Sequence, residues 1–165
     1  MKLKERIKVA SALGEFLHSN PNELEGPIQR AYQENNWFTP ENSAAAIDAI
    51  QSQFLQKDVL ESWANSYNVA DNKEIKVVGL VLAGNIPLVG FHDLICVWLS
   101  GHQSVVKCAS KDEYLLPYLS KFLENEADDD CFTFTKEPFT DFDAVIATGS
   151  DNAGRYFDHY FGNYP

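Results

Sequence analysis

The chain has 165 residues, 45% of them hydrophobic and 13% aromatic, which suits one domain with its own core, or one domain plus a small helical extension, and leaves little room for two. A net charge of −11 excludes broad attraction to nucleic acid phosphates or to an anionic membrane surface, so any anionic ligand has to be held by local groups. No apolar run approaches a membrane span in length, which excludes a spanning helix as the sequence stands.

The opening "MKLKERIKVASALGEF" is basic and then amphipathic, without the apolar region or cleavage site of a secretory signal. Leu3, Ile7, Ala10, Leu13 and Leu17 form one helical stripe that Asn20-Pro21 ends. A second helix is predicted over 22–35, weakened at Gly26-Pro27. "TPENSAAAIDAIQSQFL" offers Thr39 as N-cap and Pro40 at the first helical position, and a further helix is predicted over 59–67. "NVADNKE" is polar and aperiodic and reads as a linker.

After it the rhythm changes. Strands are predicted over 75–82, 104–108, 132–135 and 144–147, and helices over 87–99, 112–123 and 150–161. This alternation predicts an α/β fold with a parallel, doubly wound, Rossmann-like sheet in residues 71–165, preceded by a helical segment in residues 1–70. The acidic run "ENEADDD", 124–130, reads as a solvated helix end, and no metal site is expected.

In a parallel sheet the carboxyl ends of the strands share one edge, where ligands bind. The first strand ends in Gly84-Asn85-Ile86-Pro87, the second in Lys107-Cys108-Ala109-Ser110-Lys111, and the fourth in Thr148-Gly149-Ser150. No G-x-G-x-x-G fingerprint and no Walker lysine follows the first strand. Asn85 offers an amide donor, Lys107 a charge, and Gly149-Ser150 opens a helix whose N–H groups can face a phosphate.

The ordered motifs "GNIPL", "VVKCASK" and "ATGSDNAG" resemble the cofactor half of the aldehyde dehydrogenase superfamily. The fuller runs "AGNIPLVGFHDLICVWLSGH" and "DFDAVIATGSDNAGRYFDHYF" resemble its LuxC-like acyl-CoA reductase branch, which makes long-chain aldehydes. The resemblance covers residues 76–165 well and the helical start more loosely. It implies that Asn85 helps to form an oxyanion hole for a thiohemiacetal. It further implies that Gly84, Lys107, Thr148, Gly149 and Ser150 belong to the cofactor site, with Lys107 at the adenosine ribose and Gly149-Ser150 near the pyrophosphate.

Where many NAD-preferring members carry a ribose-binding glutamate, this chain has Ser110 followed by Lys111, which predicts NADPH as cofactor with NADH also accepted. The implied substrate is an acyl-CoA thioester, attacked by a cysteine. None of Cys96, Cys108 and Cys131 matches the family nucleophile, so the chain is expected to be the amino-terminal portion of a longer reductase and inactive alone. Their spacing, without CxxC, fits reduced thiols in a cytosol.

Plainer readings stand beside these. Gly84-Asn85 can be a turn that tolerates left-handed geometry, Lys107 can snorkel, and Thr148-Ser150 can cap a helix. His92 and Asp93 read as structural hydrogen bonding, with no nucleophile at a readable distance. Trp98 and the set Tyr156, Phe157, Tyr160 and Phe161 read as core or interface packing, which leaves a homo-oligomer open. The alternative functions are a non-catalytic nucleotide-binding module, an interaction domain built on the helical start, and another superfamily reductase acting on a semialdehyde or glutamyl phosphate.

Overall fold

The computed structural model describes residues 1–69, 71, 74–110, 112–138, 140–149 and 151–165. Four helices come first: α1 (Leu3–Ser19), α2 (Pro21–Glu34), α3 (Pro40–Gln53) and α4 (Lys57–Ser66). Then follow β1 (Val77–Val81), α5 (Phe91–Leu99), β2 (Gln103–Lys107), α6 (Leu115–Ala127), β3 (Phe132–Phe134), β4 (Ala144–Ala147) and α7 (Asp151–Phe161).

The stripe of Ile7, Ala10, Leu13 and Leu17 is buried, and it packs α1 against α3, α4, α5 and α6. Thr39 caps α3 as its sequence predicts, its hydroxyl accepting from the Asn42 N–H at 3.2 Å. At Gly26-Pro27, where weakening is expected, α2 runs on without a break. Pro27 has no N–H to give the carbonyl of Glu23, one turn earlier. The Tyr118 hydroxyl of α6 donates to that carbonyl at 3.4 Å, so a neighbouring helix takes up the acceptor that proline leaves.

The four strands form one parallel sheet in the order β3-β2-β1-β4. The chain moves outward from β1 through β2 to β3, then returns to the other side of β1 for β4, which is the doubly wound topology. Val78, Leu80 and Val106 point into the core, while Val77, Val81, Val105 and Lys107 alternate with them and are half-exposed. α5 lies on β1 and β2, α6 on β3, and α1 packs over both helices. One continuous core therefore runs from Ile7 to Phe132, and the helical start is a layer on the sheet's helices.

Two expectations change. The helix expected to start at Pro87 begins at Phe91, because Leu88 adopts a left-handed backbone (φ +59°) that a right-handed helix cannot contain. Pro87 is buried in the preceding turn. Glu124, the first residue of the acidic run, is buried rather than solvated: one carboxylate oxygen accepts from the Phe132 N–H at 3.0 Å and the other lies 3.3 Å from the Lys121 ammonium. The run thus anchors the start of β3 before Asp128, at φ +50°, ends α6. No helix among the described residues is long and apolar enough to cross a membrane.

Leu80 and Ile146 pair across the β1–β4 register, yet Leu80 is fully enclosed and Ile146 is 37% exposed. Leu80→Ala is expected to lower the unfolding free energy by about 3 kcal/mol and Ile146→Ala by about 1 kcal/mol. Urea denaturation of the two variants measures this, and equal losses would mean that β4 is as enclosed as β1.

Candidate functional site

Because all four strands run the same way, the turns after β1, β2 and β4 emerge on one edge. Hydrogen bonds tie them together there. The Leu82 N–H donates to the Lys107 carbonyl at 3.0 Å, carrying the ladder past the end of β1. On the other side the Thr148 N–H donates to the Val81 carbonyl at 2.8 Å. The Thr148 hydroxyl donates to that same carbonyl at 3.3 Å and accepts from the Ala83 N–H at 3.1 Å. A hydroxyl assigned to the cofactor by resemblance is thus engaged in fixing the end of β4 to the end of β1.

Gly84 earns its place by size. Its backbone is not left-handed, but a Cβ there would come 2.5 Å from the Ala109 Cβ and 3.5 Å from the Asp112 Cβ. The β1 turn therefore rests directly on the β2 turn. Asn85, next along, is exposed, and among the described residues its side chain has no hydrogen-bond partner. Gly149 is also exposed, with Ala153 and Phe157 of α7 so close that a Cβ would meet them at 3.0 and 3.1 Å. Ser150 and Lys111, both expected at the site, lie outside the described residues.

Lys107 and Ser110 line an open cleft of about 670 Å³, whose other walls include Val81, Leu82, Tyr114 and Lys136. Asn85, Thr148 and Gly149 do not line it; they belong to the β1–β4 side, where the strand order reverses. That reversal point is where ligands of doubly wound sheets sit. Lys136 was missed by the sequence reading, although it follows β3 much as Lys107 ends β2. Applying the strand-end rule to the third strand as well would have found it. Its ammonium pairs with Glu113, and the Arg30 guanidinium of α2 lies 5.0 Å over the Tyr114 ring, so the helical layer contributes to this cleft.

Asp112 was also missed, being read as part of a helix that in fact starts at Leu115. Its side chain is buried beside Gly84, and its Oδ1 has no hydrogen-bond partner. Burial pushes its pKa up to about 6, against the backbone N–H of Leu88, which favours the charged form.

The surroundings of all three thiols disfavour the thiolate. Burial, reinforced by nearby carboxylates, raises Cys96 to about 11, and Cys108 and Cys131 to about 12, so each is a neutral thiol at pH 7. The structure does bring one nucleophile type to His92: its Nε2 lies 3.7 Å from the Cys96 sulfur, an i, i+4 spacing legible in the sequence. The Asp93 carboxylate is 3.7 Å from His92 Nδ1, too far to hydrogen-bond, and Cys96 stays protonated. Among the described residues no three His, Cys, Asp or Glu side chains come together as a metal site. Comparison of the chain with family models, curated proteins and solved structures gives no match.

Asp112 gives the site a pH signature. Between 3.8 and about 6 the folded chain retains a proton that the unfolded chain has lost. The stabilisation this represents is complete below about pH 4 and disappears as pH rises through about 6, amounting to about 3 kcal/mol. Asp112→Asn is expected to remove that step, so the stability difference between variant and parent, followed by urea denaturation from pH 4 to 7, should change by this amount. A flat difference would place the carboxyl in a solvated setting.

Proposed function

We propose that this chain forms the cofactor-binding part of an NAD(P)H-dependent acyl-CoA reductase that converts a long-chain acyl-CoA thioester to an aldehyde through a cysteine thioester. The observation that carries this reading is Asn85: an exposed amide, free of partners among the described residues, on a turn whose neighbours are locked, at the point where the strand order reverses. A donor held ready but unengaged suits a carbonyl oxygen on which charge develops.

The residues of the edge fit a nicotinamide dinucleotide. Lys107 and Ser110 share one cleft and suit its adenosine ribose, and the exposed Gly149 at the start of α7 suits its pyrophosphate. When bound, the nicotinamide supplies a hydride. This chain's share is to hold the cofactor and to present the Asn85 amide to the carbonyl. With all three thiols raised to 11–12, the cysteine nucleophile belongs to another part of the reductase in this reading. The same raised thiols favour, as a second reading, a nucleotide-binding module without catalysis.

NADPH titration of the folded chain, followed by nicotinamide fluorescence, tests cofactor binding. Saturable binding is expected, weakened about tenfold or more by Lys107→Ala, and Ser110→Glu should shift preference toward NADH. Saturation by neither nicotinamide cofactor would sink both readings. In a whole reductase Asn85→Ala should lower aldehyde formation by about 10²–10³ while leaving cofactor affinity unchanged. Equal activity of that variant would leave only the non-catalytic reading.

A further inference from the structure

We infer that His92 and Cys96 form a binding site for one divalent cation of borderline softness, of the zinc type, on the surface of α5. The two side chains leave one face of the helix a single turn apart, and His92 Nε2 lies 3.7 Å from the Cys96 sulfur. A tetrahedral ion that takes an imidazole nitrogen at about 2.0 Å and a thiolate sulfur at about 2.3 Å holds those two atoms about 3.6 Å apart. The pair therefore already stands at the separation such an ion requires.

A weak thiol-to-imidazole hydrogen bond is the plainer use of this contact, but the surroundings favour a cation. The Asp93 carboxylate lies 3.7 Å from His92 Nδ1, on the far side of the ring from the sulfur. A carboxylate there is the usual outer partner of a metal-bound histidine, where it makes the imidazole a stronger ligand. Its charge also reaches Cys96, so both ligands sit in one negative field. Phe54, at the end of α3, lies edge-on to the imidazole with ring centroids 5.3 Å apart, which limits how the ring turns. The His92 side chain is 54% exposed, so an ion reaches the pair directly from solvent.

The donor atoms decide which ion suits. Nitrogen and sulfur select against calcium and magnesium, which take oxygen ligands, and select zinc and its softer neighbours. Binding breaks the Cys96 S–H bond, releases the proton to solvent, and uses the electron pair left on sulfur for the bond to the metal, with no change of oxidation state. With two protein ligands the remaining positions fall to water, so the ion is held at an open, exchangeable site rather than in the closed four-ligand cage of a structural zinc. This site draws on no part of the reductase reading and stands whether or not that reading does.

The test uses the whole chain, reduced and free of chelator, with Co²⁺ as the probe, because cobalt reports a thiolate ligand through a charge-transfer band in the near ultraviolet. The band is expected to grow saturably to one Co²⁺ per chain and to vanish when Zn²⁺ displaces the cobalt. Cys96→Ser should remove it, and His92→Gln should weaken binding by at least the roughly tenfold that even an outer partner costs. His92 is exposed, so His92→Gln keeps the fold and leaves the result readable if Cys96→Ser does not. No band, a band that Zn²⁺ does not displace, a band that persists in Cys96→Ser, or an unchanged affinity in His92→Gln would overturn the proposal and leave the pair as a hydrogen bond.

Discussion

β1 is hydrogen-bonded on both sides to parallel partners, with Leu80 opposite Val106 in β2 and Ile146 in β4. That double pairing obliges the turns after all three strands to leave the sheet on the same edge. The register is in turn set by burial. Shifting β1 by one residue would carry Leu80, fully enclosed, to the half-exposed face where Val77 and Val81 lie. The apolar cost of that slip fixes the height of Asn85 above the sheet, so a core contact determines where a surface amide stands.

Around Asn85 the backbone is closely constrained. Gly84 rests on Ala109, Leu82 bonds to Lys107, and Thr148 grips Val81 and Ala83 with both its N–H and its hydroxyl. Three residues further on, Leu88 is held at a positive φ that costs a non-glycine residue about 1 kcal/mol or more. The surrounding contacts over-determine this turn, and among its described residues they leave the Asn85 side chain unengaged.

Much of this was legible in the sequence, for reasons that differ by element. The stripe on α1 and the Thr39-Pro40 start of α3 depend on local spacing and capping, and both hold. The apolar run of β1 announced a central strand because strands of a parallel sheet, covered on both faces, carry near-continuous apolar runs. The start of α5 was not legible, since nothing in "IPLVG" says that leucine rather than glycine takes the left-handed position. The continuity of α2 through Pro27 was hidden for another reason: the hydroxyl that rescues it comes from Tyr118, 95 residues away. Asp112 was likewise invisible as a site residue, because its place depends on where α6 begins, whereas Lys136 was within reach of the strand-end rule once the third strand was included.

The net charge of −11 says little about any of these places, since the groups that matter are the few removed from solvent. Lys136 is exposed and has Glu113, so its charge is balanced locally. Asp112 and Arg6 are different: both are buried, and each keeps one polar atom without a partner. Each also adjoins a left-handed residue, Asp112 near Leu88 and Arg6 against Gly101. Buried polar atoms are almost always satisfied; among the described residues three side-chain atoms are not, Arg6 Nη2, Asp112 Oδ1 and Ser104 Oγ, and the two that belong to ionisable groups lie on opposite edges of one sheet. At the Asp112 end the carboxyl relieves its own burden by holding a proton more tightly. A guanidinium has no such recourse, so Arg6 stays a buried cation whose charge is met through space by Asp71 and Glu5.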